Sequence, residues 1–301
     1  MLELKNPRIA VPVVLFAGLI WSFGPLVVRY MNDPQLIPWQ YIFGRGLTIF
    51  ILLNLYLFFE EGKNFYKNYF RIGLSGLLGG SGLGIAMISF MFSITNTSAA
   101  ITLLCLAAMP FFTALLAFLF LREIISLNVW VSIIIATIGI VIMAVGNTSE
   151  TSLIGFVFGI TSSVGFSIFS VSLRWRKETP KFTTTAFAGL FCVVFATIMI
   201  FYKDLNFFST SYNSSLFSLH GTLVCLGLIL YSISSKAIPA AELTLLSLTE
   251  VIGGIFWVWL PLFGINEVPT NNTIIGGFFL FISLTYYSLV MRWNKRYIGL
   301  N

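Results

Sequence analysis

Residues 99–121, AAITLLCLAAMPFFTALLAFLFL, form an apolar run of 23 residues without a charged side chain. About 20 apolar residues in a helix cross the hydrocarbon core of a membrane. Backbone groups in lipid must be hydrogen-bonded within the protein, and a long, unalternating run achieves this as a helix and not as a β-barrel strand. The stretch therefore predicts a membrane-spanning helix.

Runs of the same kind fill the rest of the chain. Only 9% of its residues are Asp, Glu, Lys or Arg, and 57% are hydrophobic, whereas a soluble domain carries about a quarter of its residues as charges. We therefore predict an all-α integral membrane protein with ten transmembrane helices. The ten predicted spans lie at residues 9–31, 38–59, 70–92, 97–121, 126–146, 152–173, 183–203, 216–236, 240–263 and 271–292.

Basic residues lie mainly in alternate gaps between these spans. Fourteen Lys and Arg residues fall on one side of the predicted bilayer, and only Arg29 and Lys203 fall on the other. Because basic loops stay in the cytoplasm, both termini are predicted to be cytoplasmic, in a multi-pass protein of the inner (plasma) membrane. Arg45 belongs to neither set, since it lies inside a span.

The two halves of the chain resemble each other weakly. Residues 99–116 align without gaps with residues 240–257 (AAELTLLSLTEVIGGIFW), and an acidic residue and another apolar run follow each segment. An odd number of spans in each copy places the second copy upside down in the membrane, an arrangement common in secondary transporters. We predict a first five-helix repeat at 9–146 and a second, inverted repeat at 152–292.

Four short motifs occur in an order and spacing that resemble a known family. They are Trp21-Ser22-Phe23-Gly24 in the first span, Pro38 with Arg45 in the second, Met109-Pro110 before Arg122-Glu123 in the fourth, and Leu245-Leu246-Ser247-Leu248-Thr249-Glu250 in the ninth. By these motifs the chain resembles the ten-span, EamA-type members of the drug/metabolite transporter superfamily. The resemblance implies two EamA-like repeats and solute transport by alternating access, but it does not name the solute.

One position departs from the family pattern. Val251 follows Glu250 where the family commonly has proline, and a proline occurs only in the first half, as Pro110. Because proline is the usual cause of a helix kink, we expect the kink of the ninth helix to be missing or reduced.

Arg45 lies about seven residues into the second predicted span, between Gly44 and Gly46. Insertion scales assign a cost of roughly 2.5–3.5 kcal/mol to an arginine at a helix centre. One interpretation is a cavity-lining guanidinium that pairs with a substrate carboxylate or phosphate. The alternative is a side chain that snorkels to the outer interface or caps helix-end carbonyls.

Glu250 lies about ten residues into the ninth predicted span, close to the midplane. It is a candidate for proton coupling or for attraction of a substrate amine. The alternative is a structural carboxyl, either protonated or paired with an arginine such as Arg45. Glu242 is expected at the interface, and Glu123 and Glu267 are expected to be structural residues neutralised at the interface or by Arg122.

Aromatic residues complete the predicted substrate contacts. Trp21 is deep in the first span and is predicted to form a cavity wall, whereas Trp39 and Tyr41 flank the membrane surface, where an aromatic belt is the alternative. Several such rings together can hold an organic cation. Tyr231 is a polar candidate. The hydroxyl candidates, which can instead bond to their own backbone, are Ser22, Ser89, Thr102, Ser162, Ser163 and Ser232.

The chain offers little for metal or cofactor chemistry. His220 is its only histidine and is predicted near the outer end of the eighth span, and its three cysteines form no CxxC pair. The sequence contains no P-loop, which argues against ATP-driven pumping. We expect no cofactor, no metal and no nucleic acid. The expected partners are a small-molecule solute and membrane lipids, with the protein a monomer or homodimer.

These observations predict a secondary transporter of an amino-acid-like or other zwitterionic solute, and not an enzyme. Arg45 would hold the anionic end of the solute, Glu250 would supply negative charge or proton linkage, and Trp21 would shape the wall. The nearest alternative is a lipid-facing translocator or flippase on the same scaffold. A membrane-embedded enzyme would need a catalytic pair at one depth, and a receptor or scaffold without transport would have a closed, dry core.

Overall fold

The structure, a computed structural model, describes residues 4–146, 153–176 and 178–298. Residue 152, where the sixth span is predicted to begin, and Lys177, one of the counted bases, lie outside these described residues. The helices are α1 Pro7–Trp21, α2 Gly24–Arg29, α3 Pro38–Glu61, α4 Lys67–Phe70, α5 Gly73–Asn96, α6 Ala99–Leu106, α7 Met109–Leu116, α8 Leu127–Gly146, α9 Leu153–Trp175, α10 Lys181–Tyr202, α11 Ser211–Ser234, α12 Ala240–Leu246, α13 Thr249–Trp259 and α14 Asn271–Ile298.

Long apolar helices dominate the described residues and confirm the prediction of an all-α, multi-pass membrane protein. Within the part of the chain that the structure describes, eight segments are long and apolar enough to cross a membrane: Pro7–Arg29, Pro38–Asn64, Gly73–Asn96, Ala99–Leu121, Leu153–Trp175, Lys181–Tyr202, Ser211–Ser234 and Ala240–Trp259. Leu127–Ile142 in α8 is a shorter apolar helix. It packs against α14, where the Ser283 hydroxyl donates to the Ser132 carbonyl at 2.7 Å.

Glycines bring α5 close to two neighbouring helices. A Cβ on Gly80 would lie 2.8 Å from the carbonyl oxygen of Thr184 in α10. On the other face, a Cβ on Gly165 of α9 would lie 2.5 Å from the carbonyl oxygen of Gly82. Small residues allow membrane helices to approach in this way, so α5 is packed tightly between α9 and α10.

Helices α5 and α9 run antiparallel and define the two ends of the bundle. Near the start of α5, the Ser75 hydroxyl lies 2.6 Å from that of Thr179, just beyond α9. At the other end, Gly155 near the start of α9 lies against Thr97, which follows α5. We refer to these as the Thr179 end and the Thr97 end.

Three of the apolar segments are interrupted about halfway along their length. The interruptions fall at residues 22–23 between α1 and α2, at 107–108 between α6 and α7, and at 247–248 between α12 and α13. Pro25 and Pro110 lie in the first turns of α2 and α7, where proline is tolerated but cannot bond to a preceding helical turn.

The third interruption forms without proline, so the expectation of a missing or reduced kink at Val251 is wrong. The Ser247 hydroxyl donates to the Thr244 carbonyl at 2.8 Å, and the Thr249 hydroxyl donates to the Leu15 carbonyl of α1 at 3.1 Å. Such hydroxyls compete with helical backbone bonds. The backbone turns tightly here, with the Glu250 amide donating to the Ser247 carbonyl at 2.9 Å.

Candidate solute-binding cavity

The three interruptions border one cavity. Its volume is about 80 Å³, which is smaller than the roughly 300–1,000 Å³ that is usual for small-molecule sites. Trp21 precedes the first interruption, Met109 follows the second and Glu250 follows the third, and all three line the cavity. Discontinuous helices that meet near the midplane form the substrate sites of many transporters.

Arg45 lines this cavity and does not snorkel to an interface. Only 3% of its surface is exposed. Its Nη1 donates to the Tyr41 hydroxyl and its Nη2 to the Met87 carbonyl, both at 2.9 Å. A guanidinium has five N–H donors, so three of them have no protein partner among the described residues. Arg45 thus presents charge and unused donors to the cavity.

Tyr41 and His220 lie behind this guanidinium. Tyr41 is fully buried and therefore not part of an aromatic belt, and its hydroxyl oxygen lies 2.5 Å from His220 Nδ1. His220 is also buried and lines the cavity. Its predicted position near the outer end of the span is wrong, because α11 begins at Ser211 and not at residue 216. The signal that could have identified it is a lone ionisable residue inside an apolar run.

Glu250 lies in the first turn of α13. The positive end of a helix dipole favours a carboxylate at this position. Within the described residues, its side chain forms neither a hydrogen bond nor an ion pair, and the ion pairs found join other residues. The predicted alternative of a pair with Arg45 is therefore not formed here. Arg45 and Glu250 therefore line one cavity without forming an ion pair with each other.

Trp21 forms part of the aromatic wall. Its ring centroid lies 5.6 Å from that of Phe166, which also lines the cavity, and 5.6 Å from that of Tyr231. Its Nε1 donates to the Val224 carbonyl at 3.2 Å, which fixes the ring against α11. Tyr231 is fully buried behind Trp21, with its hydroxyl 2.7 Å from the Ser170 hydroxyl. Tyr231 therefore supports the wall from behind.

Trp39 lies in a different place from the other predicted contacts. It lines a separate, larger groove between α3, α5, α9 and α10, with its ring centroid 5.0 Å from that of Phe92 and 5.9 Å from that of Phe195. Lys203 borders the same groove. The structure therefore does not bring Trp39 together with Arg45.

Most of the candidate hydroxyls bond to backbone or to each other. Ser162, which lines the cavity, donates to the Ala86 carbonyl at 2.9 Å, and Ser163 donates to the Cys105 carbonyl. Ser22 donates to the Leu19 carbonyl at 2.6 Å. Across the described ranges, no group of three or more His, Cys, Asp or Glu side chains is arranged to hold a metal ion.

An ion pair at the Thr97 end joins the two halves of the chain. Arg29, at the end of α2, donates from Nε to Glu267 Oε1 at 2.5 Å. The same guanidinium donates to the carbonyls of Ile94 at 3.2 Å and Thr97 at 3.4 Å, where α5 ends. We call this arrangement the Arg29 clamp.

A matching ion pair joins the halves at the Thr179 end. Arg174, near the end of α9, donates from Nε to Glu123 Oε1 at 2.7 Å, and to the carbonyls of Ser235 at 2.6 Å and Ile238 at 2.7 Å beyond α11. Arg174, and not Arg122, is therefore the partner of Glu123. We call this arrangement the Arg174 clamp. Each clamp links the end of a helix in one half of the sequence to an acid that follows an interrupted segment in the other half.

Comparison with known proteins agrees with this architecture. Residues 8–145 match the EamA-like transporter family. Two proteins described as uncharacterized transporters, from Helicobacter pylori strains J99 and 26695, are each 23% identical over 263 residues, covering 82% of this chain and 84% of theirs. A solved crystal structure at 15% identity covers 95% of this chain and 98% of its own with a TM-score of 0.69, a likeness of fold alone. Taken with the motifs, these findings confirm the resemblance of the chain to the EamA-type transporters of the drug/metabolite transporter superfamily, with residues 8–145 matching the family directly.

Proposed function

We propose that this protein is a secondary transporter of a small zwitterionic solute of the amino-acid type, which it moves by alternating access. The observation that carries the proposal is the presence of an arginine and a glutamate in one cavity without an ion pair between them. Among the described residues, three N–H donors of Arg45 have no hydrogen-bond acceptor, and Glu250 forms neither a hydrogen bond nor an ion pair through its side chain. Leaving the buried charge of Arg45 without a counter-charge is costly. A bound zwitterion would compensate it with its carboxylate and would place its ammonium group beside Glu250.

The shape of each charged group matches one end of such a solute. The planar guanidinium fork suits a carboxylate, and the carboxylate of Glu250 suits an ammonium group. The remaining wall is mostly aromatic and aliphatic, with Trp21, Phe90 and Phe166 among its members. We therefore propose that the solute carries an apolar side chain, and leucine is a suitable first probe.

We further propose that the chain forms ten spans in two inverted repeats, 9–146 and 152–292, with α8 and α14 as the fifth and tenth spans. The helix contacts support this, because α5 packs on α9 as α11 packs on α1, and α5 on α10 as α11 on α3. The two clamps are related in the same way. Both termini then lie in the cytoplasm of an inner-membrane protein, which places the Arg174 clamp inside and the Arg29 clamp outside.

In this proposal the clamps close the cavity at its two ends in turn. Both clamps are formed in the structure, which corresponds to a closed state between outward-open and inward-open forms. Breaking one clamp separates the halves at that end and leaves the other end sealed. A few kilocalories per mole are enough to shift such an equilibrium.

We propose that Glu250 also couples transport to protons, by binding either a proton or the solute amine. The test uses purified protein in liposomes with labelled leucine and an imposed pH gradient. Wild-type uptake should depend on the gradient, whereas Glu250→Gln should bind leucine more weakly and lose the dependence. Glu61→Gln, which removes a carboxylate at the end of α3, is the matched control and should behave as wild type. Unchanged gradient dependence in Glu250→Gln would refute the coupling.

A lipid translocator is the second candidate function. The large groove that contains Trp39 favours it, because most of its lining residues are apolar and Lys203 at its border could meet a lipid phosphate. The same liposomes can carry a fluorescent phospholipid whose exposure is followed over time. Lipid flipping without leucine transport would replace the first proposal.

A further inference from the structure

Arg45 is held by a chain of neutral groups and not by a carboxylate. Its Nη1 donates to the Tyr41 hydroxyl at 2.9 Å, and the Tyr41 oxygen lies 2.5 Å from His220 Nδ1. All three side chains are buried. Within the described part of the chain, Arg45 and His220 are the two hydrogen-bond partners of the Tyr41 hydroxyl.

The direction of each hydrogen bond follows from the chemistry of the three groups. A guanidinium can only donate, so the Tyr41 oxygen accepts from Arg45. The buried Tyr41 hydroxyl hydrogen also needs an acceptor, and His220 Nδ1 is the acceptor in reach. Nδ1 therefore carries no hydrogen, and the neutral imidazole holds its hydrogen on Nε2.

Packing fixes the imidazole in this position. A Cβ on Gly24 would lie 2.7 Å from His220 Nε2, so glycine at this position makes room for the ring beside the interruption of the first span. The Tyr41 ring is held from another side by Phe217, with their centroids 5.5 Å apart at an interplanar angle of 87°. The glycine of the first-span motif thus has a specific role in this chain.

Because Arg45 is bonded to uncharged groups, its own charge is not neutralised by the protein. A buried carboxylate bonded to Arg45 would orient the guanidinium but would also cancel its charge. Tyr41 and His220 orient it without cancelling that charge. We infer that Tyr41 and His220 are positioning residues of the anion site, which fix the Arg45 guanidinium and leave its charge for the solute carboxylate. The role of these residues in solute binding rests on the proposed function. The directions of the hydrogen bonds among Arg45, Tyr41 and His220 follow from the geometry alone.

The single histidine makes the hydrogen-bond order directly measurable without any ligand. Full-length protein labelled with ¹⁵N-histidine in nanodiscs gives NMR signals from one imidazole only. We expect Nε2 to be protonated and Nδ1 to be an unprotonated acceptor. The Nδ1 signal should shift in Tyr41→Phe, and Tyr69→Phe, which removes a tyrosine hydroxyl bonded to Asn54, should leave it unchanged. A protonated Nδ1, or no response to Tyr41→Phe, would overturn the inference.

A binding experiment tests the purpose of this chain of groups. Leucine is compared with isoamylamine, which has the same side chain but lacks the carboxylate. Tyr41→Phe and His220→Leu should each weaken leucine binding about 3- to 10-fold, because Arg45 remains charged but is less well oriented, and should leave isoamylamine binding unchanged. His220→Gln, which can still accept from Tyr41, should restore most of the leucine affinity. An equal loss for both compounds would show a general structural role and would overturn the inference. If the wild type bound neither compound, the proposed function would fail, and the NMR result would still decide the anchoring.

Discussion

Replacing Glu123 with Gln should open the cavity towards the Thr179 end. The substitution keeps the size of the side chain but removes the charge that Arg174 Nε contacts at 2.7 Å. Both side chains are about one-fifth exposed, at 21% each, so the pair lies between surface pairs of about 0.2–1 kcal/mol and charge-assisted bonds of about 1.5–3 kcal/mol. A loss of about 1 kcal/mol shifts the closed–open equilibrium about fivefold.

The assay measures access to the cavity from each membrane face. Met109→Cys places a thiol on the cavity wall, in a background where the three native cysteines are replaced by alanine. A membrane-impermeant thiol reagent is applied to one face of oriented proteoliposomes, and the rate of modification is recorded. Glu123→Gln should raise the rate about fivefold from the cytoplasmic face only. Glu267→Gln should raise it from the outer face only.

Two results would contradict the role of the clamps as seals at opposite ends of the cavity. Both variants could accelerate modification from the same face, which would show that the clamps do not seal opposite ends. Alternatively, both rates could stay at the wild-type value, which would show that the ion pairs persist in the open states. Glu61→Gln serves as the control for loss of a carboxylate outside the clamps and should leave both rates at the wild-type value.

Two further predictions concern the packing of α5 on α9 and the wall of the cavity. Gly165→Ala should destabilise the protein by about 1–3 kcal/mol, because the added Cβ would lie 2.5 Å from the Gly82 carbonyl oxygen. Thermal unfolding in detergent should show a lower Tm. An unchanged Tm would mean that α5 and α9 can separate without cost. Trp21→Phe keeps an aromatic wall but loses the 3.2 Å hydrogen bond to the Val224 carbonyl. Leucine affinity should fall about two- to tenfold, at a cost of about 0.5–1.5 kcal/mol. An unchanged dissociation constant in calorimetry would show that this hydrogen bond does not help Trp21 to form the cavity wall.

The membrane helices and the two charges were predictable from the sequence, because the physics that places them is local. An apolar run of 23 residues must be helical in lipid, and Arg45 and Glu250 stand out because charge is costly in such runs. The family motifs also led to Trp21. These features need no knowledge of which helices meet.

The contacts between distant residues could not be predicted in this way. The helices that Tyr41 and Trp39 face depend on packing. Tyr41 lies beside Arg45, whereas Trp39 lines a separate groove. The place of His220 in the cavity wall does not follow from the predicted span, which begins five residues after the true start of α11. That late start shifts His220 towards the membrane surface. The break before Glu250 does not follow from the proline pattern, because the hydroxyls of Ser247 and Thr249 accompany it in place of a proline.

The most direct test of the central claim is a calorimetric comparison of three related compounds. Leucine has both charged ends, isoamylamine lacks the carboxylate, and 4-methylpentanoate lacks the amine. The wild type should bind leucine best. Arg45→Gln should lose about 100-fold in leucine affinity, as removal of a paired charge costs about 2.7 kcal/mol, and should no longer distinguish leucine from isoamylamine. Glu250→Gln should no longer distinguish leucine from 4-methylpentanoate. If both variants kept the wild-type order of affinities, Arg45 and Glu250 would not hold the two ends of the solute, and the account would be wrong.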